Sequence, residues 1–273
     1  IEAAITHLDH AGKRFNIVDT PGYPDFIGQT IGGLHGVDNA IIVVNAQSGI
    51  EVNTRRVFEE AGKAGVGRFV VINKMDGENI DFESVLTGIQ QLWGNRCVLL
   101  NIPVGQGAEF KKVVSTLHPT EEAGALVDPD EIREALIESI IEVDEEVMEK
   151  YFEGEIPSDE QLAKLAVQAV AAGSLVPILC CSAKTGVGLD EILDLIASFG
   201  LDPTILPCKG LDGEDEIEVK PDPNGPLVAH TFRTRIDPFV QKLSFIRVYS
   251  GTLKRDAHVP TSSSRKDVKM GQL

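Results

Sequence analysis

The sequence predicts an α/β fold with a mostly parallel sheet, interrupted by an acidic α+β insertion and followed by an all-β segment. Three observations predict it. Short β-branched runs alternate with amphipathic stretches over residues 1–104 and 175–205. A stretch of different, acid-rich composition separates these two parts. Apolar and polar residues alternate over residues 226–273, as they do in half-buried antiparallel strands.

The first part of the chain is expected to open with a hairpin and to continue into the sheet. The runs IEAAITHL and KRFNIVD flank a polar turn at residues 9–12, which favours two paired strands. AIIVVN (40–45) and RFVVIN (68–73) are continuous apolar runs, typical of strands buried on both faces. The connections after them carry apolar residues at helical spacing, and one further strand, CVLLNIP, is predicted over 97–103.

The insertion is predicted to span residues 105–174 and to be helical. Between Glu121 and Glu160 the sequence has 16 acidic and 2 basic side chains. Apolar residues from 132 to 151 fall on one helical face, which predicts a single helix begun by Asp128. A second helix is predicted from Ser158 to Gly173. The acidic face either only solvates the helix or forms a docking surface for a basic partner.

The remaining segments return to the sheet and then leave it. VPILCC (176–181) has the buried-strand pattern, and a helix ending at Gly200 follows it. Residues 206–225 are rich in Pro, Gly and acidic residues and are predicted to form a linker. Residues 226–273 are too few for a complete β-barrel and are expected to be the start of one.

Composition and charge exclude several functional classes. The 273 residues, 42% hydrophobic and 25% charged, have an ordinary globular composition, and no apolar run is long enough to span a bilayer. The net charge of −17 argues against broad nonspecific binding of nucleic acid. The four cysteines lack metal-ligand spacing, which favours buried thiols and a reducing, cytoplasmic compartment.

The first motif with chemical content is Asp19-Thr20-Pro21-Gly22, directly after a predicted strand. A carboxylate at a strand end can hold Mg²⁺ through water, and the amide of Gly22 can approach a terminal phosphate. Alone, the motif is equally well explained as an ordinary turn.

The second motif, Asn73-Lys74-Met75-Asp76, follows another predicted strand. Asp76 can accept two hydrogen bonds from the N1 and N2 donors of guanine, whereas adenine offers an acceptor at N1. Lys74 can lie across the purine face, and Asn73 can brace the surrounding loops. The alternative is a polar loop in which Asp76 caps the next helix.

The third motif, Ser182-Ala183-Lys184, follows VPILCC, and the Ala183 amide there could donate to guanine O6. Each motif is weak alone. Ligands of α/β folds bind outside the carboxyl ends of the strands, and all three motifs occupy that position in order. Their combination predicts a guanine-nucleotide-binding domain.

These motifs, the acidic insertion between the second and third, and the segment PDPNGPLVAHTFRTRIDPFVQKLSFIRVYSGTLK resemble the elongation factor G family of translational GTPases. The sequences NKMD (73–76) and KYFEGEIP (150–157) are closer to that family than to release factor 3 or the ribosome-protection proteins. The resemblance covers essentially the whole chain. It assigns residues 1–104 and 175–205 to a GTPase domain, 105–174 to the insertion subdomain, and 226–273 to the start of β-barrel domain II.

The resemblance implies a P-loop-type GTPase that binds and hydrolyses GTP with Mg²⁺ on the ribosome and drives translocation. It implies the large-subunit stalk protein and rRNA as partners, the stalk protein docking on the acidic face, and a cytoplasmic monomer without membrane association. Nucleotide and Mg²⁺ would be held by the three motifs, with Asp19 as metal ligand. Gly22 and Tyr23 would take the catalytic positions.

Two departures from the family pattern stand out. No G-x-x-x-x-G-K-[ST] phosphate loop is present, because His7 and Val57 stand where the first glycine is required before the two Gly-Lys pairs. The chain is therefore expected to be a piece lacking the first strand and phosphate loop, and inactive alone. Tyr23 stands where the family usually has a histidine that positions the attacking water. The alternative is thus a noncatalytic or weakly catalytic ribosome-binding paralogue with a recycling or regulatory role. A metabolic enzyme is disfavoured, since no substrate-pocket signature accompanies the first motif.

Overall fold

The computed structural model describes residues 1–120, 123–206, 208–212, 215–239, 241–262 and 264–271. It divides into two compact units, Ile1–Asp202 and Pro203–Leu273. The elements of the first unit are, in chain order, β1 (Ala4–His10), β2 (Lys13–Asp19), α1 (Ile27–Leu34), β3 (Asn39–Asn45), α2 (Val52–Ala64), β4 (Gly67–Asn73), α3 (Phe82–Trp93), β5 (Cys97–Leu99), β6 (Asn101–Val104), β7 (Lys112–Ser115), α4 (Pro129–Ile141), α5 (Glu145–Phe152), α6 (Asp159–Ala172), β8 (Val176–Cys180) and α7 (Leu189–Phe199).

The predicted hairpin at the start of the chain is confirmed. Strands β1 and β2 pair antiparallel from Ala4 opposite Asp19 to His10 opposite Lys13. The two residues between them, Ala11 and Gly12, have φ of +49° and +74°. Positive φ at both central residues is what a tight hairpin turn of the right twist needs. The hairpin forms a two-stranded sheet of its own.

The parallel sheet is also confirmed, with four strands in the order β3-β4-β8-β5. The apolar runs of β4 and β8 form its centre, and every residue of β8 is buried. The prediction that β3 is buried on both faces is wrong, because among the described strands β3 has a neighbour on one side only, and Ile41 and Val43 are 48% and 57% exposed. In this order β4 and β8 are neighbours, and Ile72 lies opposite Cys180. The residues that follow these two strands therefore meet at the same edge of the sheet.

The single strand predicted over 97–103 is wrong, because the chain changes sheets within it. β5 pairs parallel with β8, whereas β6 pairs antiparallel with β7. The break lies at Leu100, directly before Asn101, which is 1% exposed. Its Nδ2 donates to the Cys180 carbonyl over 3.2 Å, and its Oδ1 accepts from the Cys180 N–H over 2.7 Å. The Asn101 side chain thus satisfies the backbone N–H and carbonyl of Cys180, the last residue of β8, in place of a neighbouring strand.

The single helix predicted through residues 132–151 is likewise wrong, because α4 and α5 are separate. Asp144 is extended at φ −138° and its side chain accepts from the N–H of Val147, so it caps a new helix. α4 buries Leu136, Ile137 and Ile140, whereas α5 has no buried residue. The predicted bounds of α6 are confirmed by a capping box at Ser158 and a left-handed Gly173.

The second unit is all-β in its described residues, as predicted. Its strands are β9 (Cys208–Asp212), β10 (Asp215–Val219), β11 (Val228–Asp237), β12 (Gln241–Ser250), β13 (His258–Thr261) and β14 (Ser264–Lys269). They pair antiparallel as β9-β10, β11-β12 and β13-β14. The first pair lies in residues 206–225, where a linker was predicted. Ile217 and Val219 alternate with glutamates there, a strand pattern hidden by the acidic composition.

The core of the first unit lies between the sheet and the helices α2 and α3. Phe58 of α2 stacks on Trp93 of α3 with ring centroids 4.0 Å apart, and the Arg68 guanidinium lies 4.6 Å from the Phe58 centroid. Burying one such aromatic side chain contributes about 2 to 3 kcal/mol. None of the helices in the described ranges combines the length and apolar character that crossing a membrane requires.

Candidate functional site

Two of the three motifs meet at the carboxyl ends of β4 and β8. The 73–77 loop begins at Asn73, the last residue of β4, and the 182–185 loop begins two residues after β8 ends. Since β4 and β8 are adjacent and parallel, both loops leave the sheet at the same edge. Asn73 and Ala183, which lie in the two loops, are 110 positions apart in sequence.

Asn73 joins the two loops through one side-chain oxygen. Its Oδ1 accepts from the N–H of Lys74 at 2.7 Å and from the N–H of Ala183 at 3.0 Å, and the Cys181 thiol lies 3.6 Å away. Lys74 has φ +66°, a left-handed conformation that is unfavourable for lysine. The hydrogen bond to its N–H helps to offset that strain. Asn73 therefore braces the loops, as the sequence predicts.

Asp76 lies at the junction of the same loops, with 15% of its side chain exposed. Its Oδ1 accepts from the Ser182 hydroxyl at 2.6 Å, and its Oδ2 is 3.9 Å from Nζ of Lys184. Ser182 is fully buried, and its oxygen also accepts from the N–H of Thr185 at 3.2 Å. With that N–H occupying a lone pair, the hydroxyl proton is directed to Asp76.

The alternative that Asp76 caps the next helix is wrong. The cap of α3 is Asp81, whose Oδ1 accepts from the N–H of Ser84 at 3.0 Å. Asp76 is left with a fixed carboxylate whose Oδ2 has only the highly exposed Lys184 near it among the described residues. Such a group can accept hydrogen bonds from a ligand that presents adjacent N–H donors.

Ala183 already has a protein partner. Its N–H donates to Asn73, so a ligand oxygen would have to share that proton or displace Asn73. Lys74 and Lys184 are both exposed beside the loops, and their long stems can cover an apolar ring while the ammonium groups stay in water.

The first motif lies at the end of the hairpin and contacts a different element. Asp19 ends β2 and is exposed, followed by Thr20 and Pro21. The Gly22 carbonyl accepts from Nδ2 of Asn53, in the first turn of α2, at 2.7 Å. Tyr23 precedes a short 3₁₀ helix, Pro24–Phe26, and is 67% exposed. No hydrogen bond within the described residues joins this motif to the 73–77 or 182–185 loop.

Neither Gly-Lys pair of the sequence forms a phosphate cradle. Lys13 lies beside the turn of the hairpin, and its Nζ donates to the Ala197 carbonyl of α7 at 2.5 Å. Lys63 lies in the last turn of α2 and pairs with Glu60 at 2.8 Å. The described residues also hold no cluster of three or more His, Cys, Asp or Glu side chains suited to a metal ion.

The cysteines beneath the site are packing residues. Cys97, Cys180 and Cys181 are buried and free, as predicted. Burial raises the pKa of the Cys181 thiol to about 11 and the pKa of Cys180 well above its ordinary value. Both thiols therefore stay protonated near neutral pH, which makes them poor nucleophiles and metal ligands.

Sequence patterns alone missed three residues that support the site. Asn101 completes the end of β8, Asn53 holds Gly22, and Gly107 donates from its N–H to the Met75 carbonyl at 2.8 Å. A lone polar residue inside the apolar run LLNIP could have drawn attention to Asn101. The other two contacts depend on the tertiary fold, and no local pattern marks them.

Comparison with known proteins gives consistent matches. The family profile described as "Elongation factor Tu GTP binding domain" matches residues 1–200. The chain is 37% identical to an elongation factor G of Fervidobacterium nodosum over 278 aligned positions, covering 95% of this chain and 40% of that protein. It is 32% identical to an elongation factor G of Thermotoga neapolitana, covering 100% of this chain and 42% of that protein.

A crystal structure of a protein from Thermus thermophilus superposes with a TM-score of 0.80 at 28% identity, covering 98% of this chain and 40% of that one. The chain thus spans about two fifths of the length of the curated relatives it matches.

Proposed function

Since the chain belongs to the family of the elongation factor Tu GTP binding domain, we propose that the encoded protein is a translational GTPase of the elongation factor G type. It binds GTP, hydrolyses it on the ribosome, and uses the reaction to drive translocation during protein synthesis. The two curated relatives above carry the name elongation factor G, which supports this choice within the family.

The observation that carries the proposal is the placement of Asp76. Its carboxylate is fixed by the Ser182 hydroxyl and by the loops that Asn73 joins. Guanine presents N1–H and the N2 amino group side by side, so both can donate to one carboxylate. Adenine presents an acceptor at N1, so the largely buried carboxylate of Asp76 would have no donor facing it. A site that leaves such a polar group unpaired rejects the ligand strongly.

The other motif residues take roles that follow from their chemistry. Lys74 and Lys184 cover the faces of the base, and Ala183 shares its backbone N–H, which donates to Asn73, with the base oxygen. Asp19, an exposed carboxylate at a strand end, would hold Mg²⁺, which prefers hard oxygen ligands. Bound there, the metal would neutralise developing phosphate charge. The segment Thr20-Pro21-Gly22 lies beside it, and the Gly22 N–H is the donor for the terminal phosphate.

The partners follow from the insertion. Glu138 on α4, Glu142 directly after α4 and Glu145 on α5 are exposed. Phe152 at the end of α5 and Ile156 after it are each 70% exposed. Exposed acidic and apolar side chains within one segment of the chain suit a basic, partly apolar partner. We propose that this surface binds the stalk protein of the large ribosomal subunit. The segment 226–273, in which basic residues outnumber acidic ones, binds rRNA. In this proposal the protein is a monomer that acts in the cytoplasm without membrane association.

The proposal is tested by nucleotide competition on the encoded protein. A fluorescent GDP analogue should be displaced by GTP and GDP at concentrations at least about a hundredfold below those of ATP, because a fixed carboxylate rejects the wrong hydrogen-bond pattern. Phosphate release from GTP should rise when ribosomes are added. Equal displacement by ATP, or hydrolysis that ribosomes leave unchanged, would contradict it.

Tyr23 favours a second candidate, a weakly catalytic or noncatalytic ribosome-binding paralogue that serves recycling or regulation. Its ring stands at the proposed water-positioning site and is 67% exposed. A phenol, unlike an imidazole, cannot supply a cation to the developing phosphate charge near neutral pH. Substitution of this residue, described below, separates the two candidates.

A further inference from the structure

The first turn of the insertion lies directly against the loop that carries Lys74 and Asp76. After β6 the chain bends at Gly105 and forms the 3₁₀ turn Gly107–Glu109. There the Gly107 N–H donates to the Met75 carbonyl at 2.8 Å. This is a backbone contact between the insertion and the 73–77 loop.

Met75 is held from both sides. Its own N–H donates to the Cys181 carbonyl at 3.1 Å, next to the 182–185 loop, while its carbonyl accepts from Gly107. The Met75 side chain is fully buried in the core that also contains Phe82 and Phe110. Because Lys74 and Asp76 are its direct neighbours, fixing both peptide groups of Met75 fixes where their side chains start.

The same turn also holds the helix that follows the loop. Oε1 of Gln106 accepts from the N–H of Phe82, the first residue of α3, at 3.2 Å. The N-terminal N–H groups of a helix lack partners within the helix, so this side chain stabilises the start of α3. The insertion therefore holds the 73–77 loop at Met75 and also holds the first residue of α3, the helix that follows the loop.

Position 107 accepts only glycine without strain. Gly107 has φ +63°, and a Cβ added there would lie 3.1 Å from the Gly77 carbonyl oxygen. A larger residue would have to move away from the 73–77 loop or push it, and either movement lengthens the hydrogen bond to Met75. The close approach of the two backbones is thus built into the sequence.

We propose that Gly107 is a positioning residue for the nucleotide base, fixing through Met75 the loop that presents Lys74 and Asp76. This inference rests on the proposed function, because it assigns guanine to that loop. It goes further in making the first turn of the insertion a structural part of the base site. The insertion is then required for base affinity whatever partner it binds.

The test compares Gly107→Ala with Gly154→Ala in the encoded protein. Gly154 also lies in the insertion and has φ +99°, but an added Cβ there has no atom within 4 Å. Both substitutions carry the backbone cost of alanine at positive φ, and only the first abuts the 73–77 loop. GDP affinity is measured by titration, and backbone order by hydrogen exchange at the amides of Met75 and Gly77.

Gly107→Ala should weaken GDP binding about fivefold or more, because affinity falls with the fraction of molecules whose loop is correctly placed. It should also speed exchange at the amides of Met75 and Gly77, while Gly154→Ala leaves both readouts near wild type. Wild-type exchange and affinity in Gly107→Ala would overturn the inference, as would equal losses in the two variants.

Gln106→Ala provides a milder second variant should Gly107→Ala not fold. We compare it with Gln91→Ala, an exposed glutamine on α3. Faster exchange at Phe82 and at the loop amides in Gln106→Ala alone supports the inference, and identical exchange contradicts it. A wild-type protein that binds no guanine nucleotide would overturn the proposed function instead, and the exchange readout would still decide whether Gly107 orders the loop.

Discussion

The Ser182 hydroxyl donates a 2.6 Å hydrogen bond to Oδ1 of Asp76, although the two residues are 106 positions apart. The contact joins the loops that follow β4 and β8, and Ser182 is buried. A charge-assisted bond of this length fixes one carboxylate oxygen and leaves the other for a ligand. It links two motifs that are individually weak in the sequence.

Replacing Ser182 with alanine should lower GDP affinity of the encoded protein by about tenfold or more, since a hydrogen bond to a charged group contributes roughly 1.5 to 3 kcal/mol. Ser198→Ala is the control, because that hydroxyl donates to the Asp194 carbonyl on α7, outside both loops. Titration calorimetry measures both. Equal affinities for the two variants would show that Ser182 does not organise the base site.

Removing the Asn53 side chain should slow catalysis without weakening GTP binding. Nδ2 of Asn53 donates to the Gly22 carbonyl at 2.7 Å and holds the peptide that leads into Tyr23. In Asn53→Ala we expect kcat on the ribosome to fall roughly tenfold with KM unchanged, because small misplacements of catalytic groups are costly.

The same variant should speed hydrogen exchange at Gly22 and Tyr23. Asn53→Asp should behave similarly, since a carboxylate would face the Gly22 carbonyl and repel it. The exposed residue Asn95, replaced by alanine, is the control. A loss confined to KM would contradict a positioning role for Asn53.

Replacing Tyr23 with histidine should raise single-turnover hydrolysis on the ribosome about tenfold or more, roughly 1.4 kcal/mol of barrier, with nucleotide affinity unchanged. An imidazole titrates near pH 6.5 and can present a donor, an acceptor or a cation, whereas a phenol with a pKa near 10 stays neutral. Tyr23→Phe serves as a reference that keeps the ring and removes the hydroxyl. If the histidine variant is no faster, tyrosine is a competent catalytic residue and the weakly catalytic candidate loses its support.

Charge reversal on the insertion should slow association with ribosomes. Glu138, Glu142 and Glu145 are exposed on α4, at its end and on α5, and their replacement by lysine reverses the field toward a basic partner. The effect should shrink at high salt, where surface charges are screened. An equal change of charge at Glu59, Glu216 and Glu218, outside the insertion, is the control. If the charge-reversed variant and the wild-type protein associate equally fast at low salt, the acidic face contacts only solvent.

Sequence patterns predicted well the elements whose cause lies within a few neighbouring residues. The apolar runs of β4 and β8 are buried on both faces, and the Asp128 and Ser158 side chains cap helix N–H groups within a few residues. The motif order then placed Asn73, Asp76 and Ser182 at strand ends. Their mutual contact required the strand order, which places β8 beside β4 although residues 74–175 lie between the two strands in the sequence.

The errors came from polar residues that interrupt a periodic pattern. Asn101 starts a new strand, and its side chain bonds to Cys180, a residue remote in sequence. The helical spacing of apolar residues continues on both sides of Asp144, yet Asp144 caps a new helix. Similarly, Asn53 and Gly107 act through backbone carbonyls of other elements, so their roles follow from tertiary contacts and have no local signature.

The base preference of Asp76→Asn in the encoded protein decides whether the 73–77 loop binds guanine. Asparagine replaces one acceptor with a donor, which suits xanthine, whose second oxygen replaces the amino group of guanine. Asp81→Asn makes the same chemical change at the cap of α3 and is the control. Asp76→Asn should lose about a hundredfold in GDP affinity and bind xanthosine diphosphate more tightly than GDP, while Asp81→Asn should keep the wild-type preference. Unchanged GDP affinity in Asp76→Asn would contradict the assignment of this loop to guanine.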